Sequence, residues 1–421
     1  MEFEIVATST FGVEAVLKKE IKDLGFKITD SRNGRITFSG DERDIVKANI
    51  WLRTADRVYL KLSEFKALSF EELFQASKQI EWERYLPEDA NFVVIGTSAR
   101  STLHSVPACQ SIIEKAIITR LSSYYGVDWF NKSGNKYTVR FSFQNDNCLI
   151  CLDSSGEALH KRGYRVKDVP APIKETMAAA LIKLSYFDKT KVLLDPMCGS
   201  GTIAIEAAMI AKNIAPGLGR DFDAMNWSFI PASLWKEEKK AAFESIVYDD
   251  SFHIYASDID QRTVDFAREN AIEAGVDDII KFSVKDVSNV KINKFENIID
   301  DDGQVKAGSL ITNPPYGQRI GEKEAIEGIY KALKRIRIEN PSWEINLITP
   351  DKAFERKFGK AADKRRKLYN GNIESCYYQY FGKSDTQDKT VSKIKKESFA
   401  RNRFRNDEVT DEERAQELLR R

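Results

Sequence analysis

The sequence predicts an α/β protein in which two smaller α/β units precede a larger half built on parallel strands, with a nucleotide-type site at the strands' carboxyl ends. Three observations carry this. The glycine-rich turn Pro196-Met197-Cys198-Gly199-Ser200-Gly201-Thr202 joins an apolar strand over 191–195 to a helix over 203–210, and glycines there admit a ligand close to the backbone. Successive strands end in acids at Asp195, Asp258 and Asp286. A buried run, Leu310-Ile311-Thr312, opens into Asn313-Pro314-Pro315-Tyr316.

Composition narrows the classes. The 42% apolar content is ordinary for a globular chain of 421 residues, long enough for two or three cores. Lys plus Arg number 65 against 64 Asp plus Glu, so a nucleic-acid partner must be argued from local patches. No apolar run of about 18 residues is present to span a membrane. The start, Met1-Glu2-Phe3-Glu4, lacks a signal-peptide layout, and a cytoplasmic protein is expected. Five scattered cysteines read as reduced thiols. Cys148 and Cys151 form a lone Cys-x-x-Cys far from His104, His160 and His253, which favours small residues in a strand over a metal site.

Residues 1–65 read as a strand, helix, strand, helix unit. Phe3, Ile5 and Ala7 alternate, then Val13, Val16, Leu17, Ile21 and Leu24 recur at helical spacing. Arg35-Ile36-Thr37-Phe38 is a strand, and 41–54 a helix. In 66–160 a helix opens at Phe70, Asn91-Phe92-Val93-Val94-Ile95 is a strand, Pro107 starts a helix and Tyr137, Val139, Phe141 and Phe143 alternate as a half-buried strand. The polar run Ser98-Ala99-Arg100-Ser101-Thr102-Leu103-His104-Ser105 suits a phosphate grip beside a helix N-terminus, or a solvated capping loop. With the helix that follows, Ile112-Ile113-Glu114-Lys115-Ala116-Ile117, it resembles a THUMP domain, an RNA-binding module. Arg100 and Ser101 are candidate RNA contacts. So are Lys161, Arg162 and Arg165 in His160-Lys161-Arg162-Gly163-Tyr164-Arg165, where a charged linker is the alternative.

In the larger half the turn after Asp195 matches neither the dinucleotide nor the triphosphate glycine pattern. An acid at the strand end suits a cationic or amino-bearing ligand. Asp258 can accept from ribose hydroxyls, Asp286 from an adenine amine, and Val287 can pack on the ring. Each acid alone reads as a turn or helix cap; Asp260 is expected to cap the next helix. Asn313 and a carbonyl beside the prolines can accept both hydrogens of a planar amine, and Tyr316 can stack on a base.

This order resembles the class I S-adenosylmethionine methyltransferases. The strings around Asp195, Asn313 and His160 are similar to those of bacterial THUMP-containing guanine-N2 RNA methyltransferases of the large-subunit ribosomal RNA type. The resemblance implies a ferredoxin-like unit at 1–65, a THUMP domain at 66–160 and a Rossmann-like seven-stranded methyltransferase domain at 161–385. It implies S-adenosyl-L-methionine held by Asp195, Pro196, Cys198, Gly199, Gly201, Thr202, Asp258, Asp286 and Val287. Catalysis falls to Asn313, Pro314, Pro315 and Tyr316, and the partner is structured RNA, large-subunit rRNA or its assembly intermediate. Methylation of tRNA or of DNA adenine, and a non-catalytic assembly factor, stay open as alternatives. A second methyltransferase domain, fused behind the first in larger members, is not expected within this chain.

Three further stretches complete the reading. The insertion over 212–250, with Arg220, Trp227, Phe229 and Trp235, reads as burial over the helical layer or as a base-side wall. Lys364-Arg365-Arg366-Lys367 precedes a final aromatic strand and is either an RNA contact or solvated surface. From 383 to 405 eight cations meet three acids, so 386–421 is expected to be a basic, disordered tail.

Overall fold

The computed structural model describes residues 2–127, 130–167, 172–188, 190–249, 252–296, 298–299, 305–316, 322–371 and 373–383. The tail at 386–421, Gly317 and Ala171 lie outside these. The upstream part runs β1 (Phe3–Thr8), α1 (Glu14–Asp23), β2 (Lys27–Arg32), β3 (Arg35–Gly40), α2 (Glu42–Trp51), β4 (Arg57–Lys66), α3 (Phe70–Gln79), β5 (Asn91–Ala99), α4 (Val106–Tyr125), β6 (Lys136–Gln144) and β7 (Asn147–Asp153). The catalytic half runs α5 (Glu175–Leu184), β8 (Val192–Asp195), α6 (Thr202–Ala211), α7 (Ala232–Glu244), β9 (Ile254–Asp258), α8 (Gln261–Glu273), β10 (Ile280–Val284), β11 (Gly308–Thr312), α9 (Glu322–Glu339), β12 (Glu344–Thr349), α10 (Phe354–Phe358), β13 (Lys364–Asn370) and β14 (Ile373–Tyr380).

Local chemistry explains the boundaries. Asp41 and Asp44 form a reciprocal capping box on α2, Pro107 sits in the first turn of α4, and Gly126 ends α4 in the left-handed region. Asp260 accepts from the Arg262 amide and caps α8, as its position predicts. Cys148 and Cys151 are buried in β7, and strand alternation sends them to opposite faces.

The seven strands of the upstream sheet run in the order β2-β3-β1-β4-β7-β6-β5. The two upstream units are thus one sheet, stitched by β4, which pairs with β1 on one side and β7 on the other. The second sheet has the order β10-β9-β8-β11-β12-β14-β13. Its first five strands are parallel, and β14 and β13 close it antiparallel. The strand order reverses between β8 and β11, and ligands of open α/β sheets bind at that switch point.

The insertion after α6 corrects the expected placement of its tryptophans. Trp227 and Trp235 are buried in the core of the upstream sheet, with Phe222, Ala224 and Ile230. Trp227 stacks on Tyr137 of β6 with centroids 6.4 Å apart. Arg220 donates to the carbonyls of Glu157, Ala158 and Lys161. The catalytic half therefore reaches back and completes the hydrophobic core of the unit before it.

A buried ionic cluster joins the two bodies. Glu206 on α6 is fully buried, with Arg53 at 3.4 Å and Arg162 at 3.3 Å, each about 5% exposed. Arg53 also donates to the Ile214 carbonyl, and Arg162 to the Leu159 and Arg53 carbonyls. Removing the carboxylate strands two buried guanidinium groups. Glu206→Ala is expected to lower stability by about 3 kcal/mol or more, read as a shift in the urea midpoint; a midpoint within error of wild type would show that the cluster does not bind the bodies together.

Candidate active site

A cavity of about 1080 Å³ opens at the switch point. Its walls come from the ends of β8, β9 and β11, from the turn after β10, and from residues remote in sequence, Pro172, Ile173 and Lys174 on one side and Asn370, Gly371 and Ile373 on the other. The predicted Asp195, Pro196, Cys198, Gly199, Thr202, Asp258, Asp286, Val287, Asn313, Pro314, Pro315 and Tyr316 all line it. Gly201 lies behind the wall. Its φ of +86° starts α6, and a Cβ there would sit 3.0 Å from Ala267 of α8, so the turn requires glycine twice over.

Asp195 is 1% exposed. Its Oδ1 accepts from the Thr312 hydroxyl at 2.8 Å and the Met197 amide at 3.3 Å, which leaves Oδ2 outside both contacts. Burial pushes its carboxyl up to about 7; the two hydrogen bonds pull the other way. Asp258 accepts from the Gly199 amide at 3.0 Å and so holds the glycine turn against β9. Asp286 lies two residues beyond β10 rather than on its last residue. It accepts from the Ser288 amide at 2.7 Å, and the Ser288 hydroxyl together with this amide holds its carboxyl below the usual range.

At the other end of the cavity Asn370 donates to the Tyr316 hydroxyl at 2.9 Å, and that hydroxyl donates to Asn313 Oδ1 at 2.7 Å. Burial raises the Tyr316 phenol, which stays protonated and able to donate. The Tyr316 hydroxyl is turned onto Asn313 while the residue lines the cavity.

The expected RNA contacts divide. Arg100 and Lys161 are exposed, Lys161 pairing with Glu157. Ser101 accepts from the Asp146 amide and bonds the Ala99 carbonyl, which ties its loop to the β6–β7 turn. Arg162 is spent in the Glu206 cluster and faces the interior. Arg165 reaches under the glycine turn to Ser200 Oγ at 3.2 Å and Thr202 Oγ1 at 3.0 Å, with Glu175 on its Nε. Arg162 is therefore corrected from an RNA contact to an interior group, while Arg165 is half-buried and engaged under the turn. Their neighbours in sequence looked like surface because charge runs usually are.

Sequence reading passed over Thr312, Lys174, Lys285 and Asn370. Thr312 ends the strand beside β8, so the strand-end logic that found Asp195 also points to it. Asn370 belongs to the strand formed by the basic run itself, Lys364–Asn370, which was expected only to precede a strand.

An open sheet with a switch point, a glycine turn and acids along one edge, facing an asparagine-proline-proline end, defines a Rossmann-like group-transfer enzyme. Residues 162–379 match the model of the RMKL-like methyltransferase domain, residues 4–59 the RlmL ferredoxin-like domain and residues 67–153 the THUMP domain. The chain belongs to the RMKL-like methyltransferase family. It is 44% identical over 390 residues to the putative RNA methyltransferase YpsC of Bacillus subtilis (strain 168), covering 92% of this chain and 98% of that one. It is 33% identical over 376 residues to the ribosomal RNA large subunit methyltransferase K/L of Psychromonas ingrahamii, covering 88% of this chain and 49% of that longer protein. Among solved structures, SMU.472, a putative methyltransferase complexed with SAH, superimposes with a TM-score of 0.84 at 40% identity, covering 91% of this chain and 99% of that one.

The position of Asp195 has a measurable consequence. A carboxyl ordinarily near 3.8 and raised to about 7 on folding makes the folded chain bind the proton more tightly than the unfolded one. Stability is then lost as pH rises from about 4 to about 7. Asp195→Asn lacks this slope. Between about pH 5 and pH 7 the wild type is expected to lose about 2 kcal/mol more than the variant, measured by urea unfolding without ligand; equal losses would refute the raised carboxyl.

Proposed function

We propose that the chain is an S-adenosylmethionine-dependent RNA methyltransferase that methylates the exocyclic N2 amine of a guanine in 23S ribosomal RNA. The observation that carries this is the hydrogen-bond chain Asn370 to Tyr316 to Asn313 at the end of the cavity opposite Asp195. It supports an amine acceptor at Asn313, and the buried carboxyl of Asp195 at the other end supports a cationic ligand there.

The donor set fits the cofactor. A buried carboxylate suits an ammonium group, Asp258 and Asp286 suit hydroxyl and amine donors, and Val287 with Ile259 offers apolar surface for a base. Asp195, Pro196, Cys198, Gly199, Gly201, Thr202, Asp258, Asp286 and Val287 would hold it, Gly201 by shaping the turn. When bound, S-adenosylmethionine supplies an electrophilic methyl group on a sulfonium.

The protein's part is binding and orientation. An aromatic amine is a weak nucleophile because its lone pair is delocalised into the ring. Asn313 Oδ1 and the Pro314 carbonyl accept its two hydrogens, which favours the pyramidal geometry needed for attack and aims the nitrogen. Pro315 has no N–H to compete for those acceptors. No strong base is needed before transfer, since the proton leaves afterwards. A guanine must leave its stack to reach this depth, and the THUMP domain together with exposed Arg100 and Lys161 supports a structured RNA as its carrier. The names of the relatives favour RNA, and that of the longer relative the large ribosomal subunit.

Asn313→Ala is expected to lower kcat by roughly 10²–10³-fold with cofactor affinity little changed, whereas Asp195→Ala should abolish cofactor binding in calorimetry. Mass spectrometry of 23S rRNA from a deletion strain should show one N2-methylguanine missing. Intact rRNA together with a methyl group lost from tRNA or DNA would overturn the substrate.

A further inference from the structure

We infer that Phe11 and Tyr369 form a stacking platform for the RNA strand beside the target nucleotide, an inference that rests on the RNA methyltransferase reading. Phe11 is 47% exposed at the tip of the turn after β1, in the upstream unit. Its ring meets Tyr369 of β13 edge-on, with centroids 5.8 Å apart and planes 77° apart. Tyr369 adjoins Asn370, which begins the hydrogen-bond chain to Asn313. Two halves of the molecule thus bring an exposed Phe11 and a half-buried Tyr369 together on the strand whose last residue, Asn370, reaches the acceptor end of the cavity.

The turn is held firmly although its phenylalanine is exposed. Asp56 accepts from Thr10 at 3.3 Å and, through its other oxygen, from Thr176 of α5 at 3.2 Å, which ties the turn to the catalytic half. Glu14 accepts from the Gly12 and Gly34 amides. Gly12, at φ +91°, seats the turn on β13 so closely that a Cβ would fall 2.5 Å from the Lys367 carbonyl oxygen. A rigid aromatic loses little entropy on stacking a base, and every base offers a face to it.

Charge points to a nucleic acid rather than an apolar protein segment. β13 is an edge strand carrying Lys364, Arg365, Arg366 and Lys367, and Lys367 lies 5.4 Å from the Tyr369 ring. Arg365 and Lys367, both exposed, pair with half-buried Glu355 and exposed Glu374, and ion pairs of exposed cations are weak enough to exchange for phosphates.

The test uses the full-length protein with two probes: deproteinised 23S rRNA from a strain lacking the gene, and a fluorescent single-stranded oligouridylate. Phe11→Ala and Tyr369→Ala should each raise the KM for rRNA and the oligouridylate Kd about ten-fold, with unchanged cofactor affinity and melting temperature. Phe11→Trp and Tyr369→Phe should restore both constants. Wild-type affinity for the oligouridylate in both alanine variants would overturn the platform, whether or not rRNA is methylated. If wild-type enzyme transferred no methyl group to rRNA while the oligouridylate still distinguished the variants, the proposed reaction would fall and the platform would stand.

Discussion

Glu206 is the constraint on which the rest of the molecule depends. It sits on the helix that follows the glycine-rich loop, and its two guanidinium partners come from before α5: Arg53 after α2, and Arg162 in the connecting segment. A buried carboxylate cannot stand without those cations, and they cannot stand without it. Three residues beyond Arg162, Arg165 grips the hydroxyls of Ser200 and Thr202. The connector is therefore part of the cofactor turn's support, and any displacement of the upstream sheet is felt at the turn through covalent and ionic neighbours.

The second tie runs the other way. Trp227 and Trp235 leave the catalytic half and fill the core of the upstream sheet, while Gly217 donates to the Ile50 carbonyl and Arg43 pairs with Glu237 and Glu238 on α7. Burying large aromatic side chains is worth several kcal/mol each, so separation of the two bodies would open a core. The THUMP domain is in this way kept at a fixed distance from the cavity at the switch point. Such fixity serves a reaction in which a misplacement of about 1 Å costs much of the rate.

The site was legible in the sequence wherever local chemistry reported it. Parallel strands buried on both faces are short apolar runs, and each ended in a residue too polar for the core, so Asp195, Asp258 and Asn313 announced themselves. The cap role of Asp260 followed from spacing alone. What stayed hidden was set by tertiary packing. The edge strand β2 is mostly polar and exposed, and gives little alternation to read. Arg162 and Arg165 sit in a cationic run that looks like surface until Glu206 and Glu175 are placed beside them. The tryptophans of the insertion read as core, but nothing local says whose core. The basic run of β13 has the composition of solvated surface and forms a strand because β14 supplies the ladder.

The acceptor end of the site shows how much such tertiary placement can add. An asparagine side chain offers an oxygen or an amide nitrogen at nearly the same shape, and the two would treat an incoming amine in opposite ways. Asn370 donates to the Tyr316 hydroxyl, which in turn donates to Asn313. A hydroxyl donating to an amide selects the oxygen, so the chain fixes which end of Asn313 faces its neighbour and leaves that oxygen one lone pair for a substrate hydrogen. The tyrosine, whose residue type suggests stacking, here sets the polarity of the acceptor. The orientation of Asn313 is thus imposed by β13, a strand nearly sixty residues downstream.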